Sequence, residues 1–285
     1  MERSLTSTRA GLMVAGESWT LMSRLRNVGL LAAGTAAAQV VNLAAAPLLT
    51  RLYTPAEFGL LAVFSSVASI ASVTASLRLE LAVPVPPDDE EAIEVVSAGF
   101  LAAIVISALS VGAVLVLGGW FASAVGEPGV RSLLWLLPVY LVASGLYHVL
   151  NYWFTRRDGF ATVAAVNAVR AILTVVSQYL LGVARLGALG LVAGQTLSPV
   201  VQALGLLLAA PKVTGRMPFR RLSWRRFRAV LSRFRNYVVF GTPQALVNAL
   251  NQSLPAIVMT IAFSPSVAGF YLMAHRLVAA PISVL

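Results

Sequence analysis

The chain has 285 residues, of which 58% are hydrophobic and 11% are charged, and its net charge is +10 at pH 7. Soluble domains carry about a quarter charged residues, so this composition excludes an ordinary water-soluble protein. The chain has no cysteine, which excludes disulfide frameworks, thiolate metal sites and cysteine nucleophiles.

Uncharged runs divide the sequence into membrane-spanning helices, each of which needs about 20 apolar residues. Six complete spans are predicted, at residues 27–50, 58–77, 95–126, 132–155, 159–184 and 186–211, of which 159–184 contains one charge, Arg170. After Arg235 no charge appears before Arg276, which leaves room for a seventh helix, a turn at 264–266 and the start of an eighth. The sequence therefore predicts an all-α, polytopic transmembrane helical bundle.

The placement of basic residues predicts the orientation of these spans. All 21 basic residues are arginine except Lys212. If the N-terminus is cytoplasmic, fifteen basic residues lie inside: six in the N-terminal arm and at 156–157, and nine in segment 212–235. The outer loops carry only Arg51, Arg131 and Arg185. Because cytoplasmic loops are enriched in arginine and lysine, we expect the N-terminus to lie in the cytoplasm.

A sequence repeat indicates internal symmetry. Residues 23–27 (SRLRN) recur as 232–236 (SRFRN), and residues 53–59 (YTPAEFG) recur in pattern as 263–269 (FSPSVAG), at offsets of 209 and 210 residues. The repeat unit contains six predicted helices, so its two copies have the same orientation in the membrane. Parallel lobes around a central cleft are a recognised transporter design.

The repeat divides the chain into four predicted segments. They are a cytoplasmic N-terminal arm (1–26), an N-lobe of six helices (27–211), a basic cytoplasmic linker (212–235) and the start of a C-lobe (236–285). Applied to the whole first lobe, the offset predicts a complete protein of roughly 420 residues or more, so we expect this chain to be an N-terminal fragment. The linker is interpreted equally well as a topological signal or as a contact with lipid headgroups.

Four stretches resemble a known family: RLYTPAEFG at 51–59, LRLELA at 77–82, GLYHVLNYW at 145–153, and AGFY at 268–271 with Arg276 and Pro281. They are similar to the oligosaccharide and polysaccharide flippases of the multidrug, oligosaccharidyl-lipid and polysaccharide exporter superfamily. The resemblance implies two six-helix lobes, alternating access, and a bacterial inner-membrane location. It also implies that the substrate is a polyprenyl-pyrophosphate-linked sugar repeat unit for lipopolysaccharide O-antigen, capsule or exopolysaccharide.

Two arginines lie deep within predicted spans. Arg170 is eleven residues into its span, and Arg276 lies at a similar depth in the eighth. A charge at the bilayer centre costs about 2.5–3.5 kcal/mol and is a functional hypothesis by default. We interpret both as lining a cationic cavity for a diphosphate, which arginine binds bidentately. The alternative is a buried pair with a carboxylate or with backbone carbonyls, although no acidic residue lies at matching depth in the predicted spans.

Polar side chains form stripes at helical spacing on two of the spans. One stripe surrounds Arg170, with Asn167, Thr174, Ser177 and Gln178, and the seventh helix carries Gln244, Asn248, Asn251 and Gln252. Amides facing lipid would be unfavourable, so both stripes are predicted to contact sugar hydroxyls in the cleft or to form interhelical hydrogen bonds. Gln39 and Asn42 on the first helix are a weaker case.

The remaining candidates are less specific. Arg78 is interpreted either as a cytoplasmic gate or as a side chain that snorkels to the headgroups, and Glu80 is expected to point elsewhere on the same helix. His148 and His275 are too isolated to indicate a metal site. Gly190, Gly194 and Ser198 repeat every fourth residue and predict a helix-packing face.

Several alternatives remain open. A cation-coupled drug or metabolite exporter would more typically carry a carboxylate inside the N-lobe, and a peptidoglycan-precursor flippase would also use central arginines. A membrane-embedded glycan polymerase or transferase is more distant, since no His-Glu-x-x-His or Asp-x-Asp motif is present. We expect no catalytic residue, metal or cofactor. The expected partners are a lipid-linked oligosaccharide, membrane lipids and polysaccharide polymerase or assembly proteins, and not nucleic acid.

Overall fold

A computed structural model describes residues 36–282 apart from Arg221, together with Gly29 and Gly34, and gives side chains as far as His275. The predicted arm at 1–26 lies outside the described residues, as does the first copy of the SRLRN repeat. The side chain of Arg276 also lies outside them.

The described chain is built from helices. They are α1 (Ala36–Leu52), α2 (Pro55–Ala75), α3 (Asp89–Val125), α4 (Gly129–Arg156), α5 (Phe160–Val183), α6 (Ala188–Thr214), α7 (Trp224–Arg233), α8 (Tyr237–Ala262) and α9 (Pro265–Ile282). Helices α2 to α6 and α8 are long and apolar enough to cross a membrane, α1 is a shorter apolar helix, and no strand occurs in the described part of the chain. The prediction of an all-α, polytopic bundle is confirmed.

Helix α2 begins before its apolar run because a capping box closes its first turn. The Thr54 N–H donates to the Glu57 carboxylate at 2.6 Å, and the Glu57 N–H donates to Thr54 Oγ1 at 3.4 Å. Pro55 occupies the first helical position, where an N–H would have no helical partner. Division of the sequence at charges placed the start of this span at Phe58, whereas the Glu57 carboxylate belongs to the cap.

Helix α2 ends at Ala75, and the chain then turns through two residues with positive φ, Leu77 at 52° and Arg78 at 58°. This break brings Arg78 Nη1 within 3.2 Å of Glu80 Oε1, while Ser76 Oγ donates to Glu80 Oε2 at 2.5 Å. The expectation that Glu80 points away from Arg78 is therefore wrong. It assumed a continuous helix, on which residues two apart do not face each other.

Charged residues hold α7 against the start of α3. Four ion pairs form this contact: Arg220–Glu90 at 3.3 Å, Arg220–Glu94 at 4.0 Å, Arg226–Glu94 at 3.4 Å and Arg233–Glu91. Helix α3 begins at Asp89 rather than at the predicted residue 95, because carboxylates in a first turn are stabilised by the helix dipole and here also by these arginines. We call this end of the bundle, which also carries Arg78, the arginine-rich end.

Helix α2 occupies the centre of the bundle. Its buried residues Leu61 and Phe64 belong to one core cluster with Leu141 of α4 and Leu191 of α6, and α2 also contacts α8 and α9. A second cluster lies towards the arginine-rich end and includes Trp153, Phe154 and Leu206. Because lipid tails are as apolar as these side chains, close packing rather than exclusion of water holds such helices together.

Candidate functional site

Helices α5 and α6 pack closely through small residues of α6. A Cβ atom on Gly190 would lie 3.0 Å from Leu181 Cβ, and one on Gly194 would overlap Gln178 Cγ. These glycines therefore let the two backbones approach, as small residues commonly do between membrane helices. The predicted packing face is confirmed at Gly190 and Gly194.

Arg170 lies near the middle of α5, a helix of 24 residues. Its Nη1 donates to Ser198 Oγ of α6 at 3.0 Å, while Nε is buried and has no hydrogen-bond partner among the described residues. The phenols of Tyr140 and Tyr147 on α4 lie nearby. Within the part of the chain that the structure describes, Arg170 forms no ion pair with a carboxylate.

The other members of the α5 stripe differ in their hydrogen bonds, and Ser177 Oγ donates to the Thr174 carbonyl within α5 at 2.8 Å. Asn167 Oδ1 accepts from Gln202 Nε2 at 2.7 Å, and Gln178 Nε2 donates to the Leu191 carbonyl at 3.1 Å, so both amides form interhelical hydrogen bonds. Thr174 Oγ1 is buried without a partner among the described residues. Arg170 and Thr174, one helical turn apart, thus keep hydrogen-bonding capacity that the described residues leave unused.

Both residues line a cavity of about 600 Å³ between α1, α2, α5, α6 and α9. This volume lies within the range of roughly 300–1,000 Å³ that is usual for small-molecule sites. The polar side chains on its wall are Gln39, Asn42, Thr50, Arg170, Thr174, Gln178, Gln195 and His275. Among the described wall residues, one guanidinium lies among amides and two threonine hydroxyls. This set is suited to an anion that also carries hydroxyl groups, since arginine binds anionic oxygens and amides both donate and accept.

Comparison with known protein families gives an independent result. A model of the family described as polysaccharide biosynthesis protein matches residues 48–285. The chain belongs to this family. Comparisons with curated proteins and with solved structures gave no match. The apolar spans and the family membership together indicate a multi-pass membrane protein with a role in polysaccharide biosynthesis or export. The resemblance drawn from residues 51–59 and the later motifs is confirmed at the level of the family.

The structure separates the predicted site residues into groups. Arg170 and Gln178 line the cavity, as do Gln39 and Asn42 of α1, which had been the weaker case. Asn167 lies behind it, bonded to α6. Arg276 follows His275, a residue of the cavity wall, but its own side chain is outside the described residues.

Two other predicted sites lie away from this cavity. Gln244, Asn248, Asn251 and Gln252 are exposed along α8 and do not line it, and Gln252 Nε2 donates to Asn248 Oδ1 at 3.4 Å. Their role in sugar binding stays a prediction. Arg78 lies at the arginine-rich end, where it is paired with Glu80 and its side chain lies close to Gly241 at the start of α8. Its role as a gate also stays a prediction.

Some residues in and around the site were not predicted from the sequence. Gln195, Ser198 and Gln202 lie three and four residues apart on α6 and form a polar stripe that faces α5 and the cavity. Their helical spacing is present in the sequence and is the signal that indicates a polar face on this helix. Tyr140 and Tyr147 are seven residues apart on α4, a spacing that places both on one helix face.

Proposed function

We propose that the protein is a flippase that moves polyprenyl-pyrophosphate-linked oligosaccharide across the bacterial inner membrane by alternating access, with its N-terminus in the cytoplasm. Its role is transport rather than catalysis. The cavity receives the sugar diphosphate, the polyprenyl tail stays in the lipid, and the product is used for a surface polysaccharide such as O-antigen, capsule or exopolysaccharide. Polysaccharide polymerase or assembly proteins are the candidate partners that would take over the exported unit.

The observation that carries this proposal is the state of Arg170. It lines a cavity from the middle of α5, a helix long enough to cross a membrane, one of its donors is held by Ser198, and its buried Nε has no partner among the described residues. A charge in such a place is unfavourable unless an anion compensates it. A diphosphate does so with several oxygen acceptors, which arginine can bind bidentately, and Thr174 Oγ1 one turn away adds a hydroxyl donor.

The rest of the wall favours a sugar next to that diphosphate. Gln39, Asn42 and Gln195 present amides from two further helices, and amides match the mixed donor and acceptor character of sugar hydroxyls. The described carboxylates do not line the cavity, and buried Glu80 is occupied by Arg78 and Ser76. This arrangement favours an anionic substrate over the cationic compounds that a drug exporter of the same superfamily would carry.

Loss of the gene tests the proposal directly. In cells that lack it, lipid-linked oligosaccharide should accumulate on the inner leaflet, and the intact gene should restore its export. The measurement is the amount and sidedness of the glycolipid, read with a membrane-impermeant sugar-modifying reagent. Unchanged glycolipid export together with raised sensitivity to toxic compounds would instead indicate a drug exporter.

Variants of Arg170 then test the cavity. We expect Arg170→Ala to reduce export about 10- to 100-fold, the equivalent of a charge-assisted hydrogen bond of about 1.5–3 kcal/mol. Arg170→Lys should retain part of the activity because it keeps the charge but loses the planar fork. The matched control is Arg228→Ala, which removes an exposed arginine of α7. Normal export by Arg170→Ala would contradict the assignment.

A further inference from the structure

The two copies of the repeated motif perform the same task at the starts of α2 and α9. Thr54 caps α2, and Ser264 Oγ accepts from the Val267 N–H at 3.3 Å at the start of α9. Pro55 and Pro265 are the first residues of these helices. The fifth residue of each helix is the glycine that ends the motif. We call the end of the bundle that carries both motifs the motif end.

The two helices cross at these glycines. A Cβ atom on Gly59 would overlap the carbonyl group of Pro265, and a Cβ atom on Gly269 would overlap the carbonyl oxygen of Pro55 and lie 3.0 Å from the Gly59 nitrogen. The contact is therefore reciprocal, and it joins backbone to backbone. Only glycine permits it, because any side chain would force the helices apart.

The crossing lies next to the cavity on the side of the motif end. Phe58, which precedes Gly59, and Met273, which lies one turn after Gly269, both line the cavity wall. Ala268 beside Gly269 is fully buried. Backbone contact without intervening side chains thus closes the gap between α2 and α9 beside the cavity.

We propose that the Gly59–Gly269 crossing is the outer seal of the transport cavity, and that α2 and α9 must part there before the cavity opens to the outside. This rests on the proposed function for its direction, since the motif end faces outward only if the N-terminus is cytoplasmic. Packed contacts of this kind have discrete arrangements rather than a continuous range. A methyl group in the crossing should shift the population from the sealed towards the parted arrangement.

Single-cysteine labelling tests the seal, since the chain contains no cysteine of its own. Met273→Cys places a thiol on the cavity wall, and a membrane-impermeant maleimide is applied to intact cells. We expect Gly59→Ala and Gly269→Ala each to increase the labelling rate of this thiol severalfold. Gly112→Ala is the matched control, because a Cβ atom there meets no described atom within 4 Å. Unchanged labelling in correctly folded Gly59→Ala protein would overturn the proposal.

A second reporter remains informative even where the alanine variants fail to fold. Ala268→Cys is nearly isosteric and leaves both glycines in place, so its thiol should be labelled only when the crossing parts. We expect Ala268→Cys and Met273→Cys to be labelled from outside at similar slow rates. Fast labelling of Met273→Cys with none of Ala268→Cys would show that the cavity opens elsewhere. Labelling also separates the two proposals. If the alanine variants increase labelling but the parent protein exports no glycolipid, the flippase function is refuted and the outer seal is not.

Discussion

The two ends of the bundle are held together by opposite means. At the arginine-rich end, side-chain charges form the contacts: Arg78 with buried Glu80, and the arginines around α7 with the first turn of α3. At the motif end, α2 and α9 meet through backbone atoms at Gly59 and Gly269. Ion pairs between long side chains can adjust to small movements of the helices at the arginine-rich end. The contact at the motif end forms only because Gly59 and Gly269 have no side chains.

Breaking the buried ion pair should have the largest effect. Removal of one partner of a buried pair costs about 3–5 kcal/mol, and we expect about 3 kcal/mol for Glu80→Ala because Arg78 keeps a 31% exposed side chain. The measurement is the free energy of unfolding in detergent. The double variant Arg78→Ala/Glu80→Ala should recover part of the loss. A loss in the double variant equal to the sum of the losses in the two single variants would show that the pair contributes little.

Filling the crossing at the motif end should come next. Gly59→Ala forces a methyl group against the carbonyl of Pro265, and overpacking of this kind costs about 1–3 kcal/mol. Thermal unfolding of the purified protein checks this, with Gly112→Ala as the control. A Gly59→Ala protein as stable as its parent would mean that the helices separate easily at this point.

The hydrogen bond of Tyr53 should contribute less. Its phenol donates to the Gln178 carbonyl at 2.6 Å and fastens the loop before α2 to α5. Tyr53→Phe should therefore cost about 1 kcal/mol. Burial, with a smaller contribution from the charge of Glu57, raises the pKa of Tyr53. The stabilisation should be complete below the usual tyrosine range near pH 10 and lost only as the pH rises through the raised pKa. A difference between parent and variant that changes between pH 6 and 8 would contradict this.

The exposed ion pairs of α7 should contribute least. Glu94→Gln removes the partner of Arg226, and such surface pairs contribute about 0–1 kcal/mol. Their contribution should fall further in high salt because exposed charges are screened. Unfolding measured at low and high sodium chloride checks both expectations. A salt-independent loss, or a loss as large as that of Glu80→Ala, would remove the contrast between buried and exposed pairs.

Local sequence pattern predicted the spans, the repeat and the depth of Arg170, because each depends on residues that are close in the chain. Partners across the bundle were not visible in it. The repeat marked Gly59 and Gly269 as equivalent, but nothing local indicated that they would meet each other. The break after Ala75 was also missed, since a run of ordinary residues gives no sign that Leu77 and Arg78 adopt positive φ.

The cavity illustrates the same limit. Arg170 was found because a charge in an apolar run is conspicuous, and Gln178 because it follows at helical spacing. The wall contributed by α1 and α9 depends on how distant helices pack, and the sequence around His275 gives no sign that it lines a cavity. Ser198 was noticed only for its small size, although its hydroxyl holds the guanidinium of Arg170.

The reciprocity of the Gly59–Gly269 contact has a consequence for how such a chain could arise. Each motif gives its proline carbonyl to the glycine of the other, which is the pattern of an isologous interface, in which one patch faces a copy of itself. A lobe bearing a single copy of this motif would already be self-complementary at that end. In a dimer of such lobes, one mutation would change both glycines of the contact. In a chain that carries both copies of the motif, Gly59 and Gly269 can be changed independently.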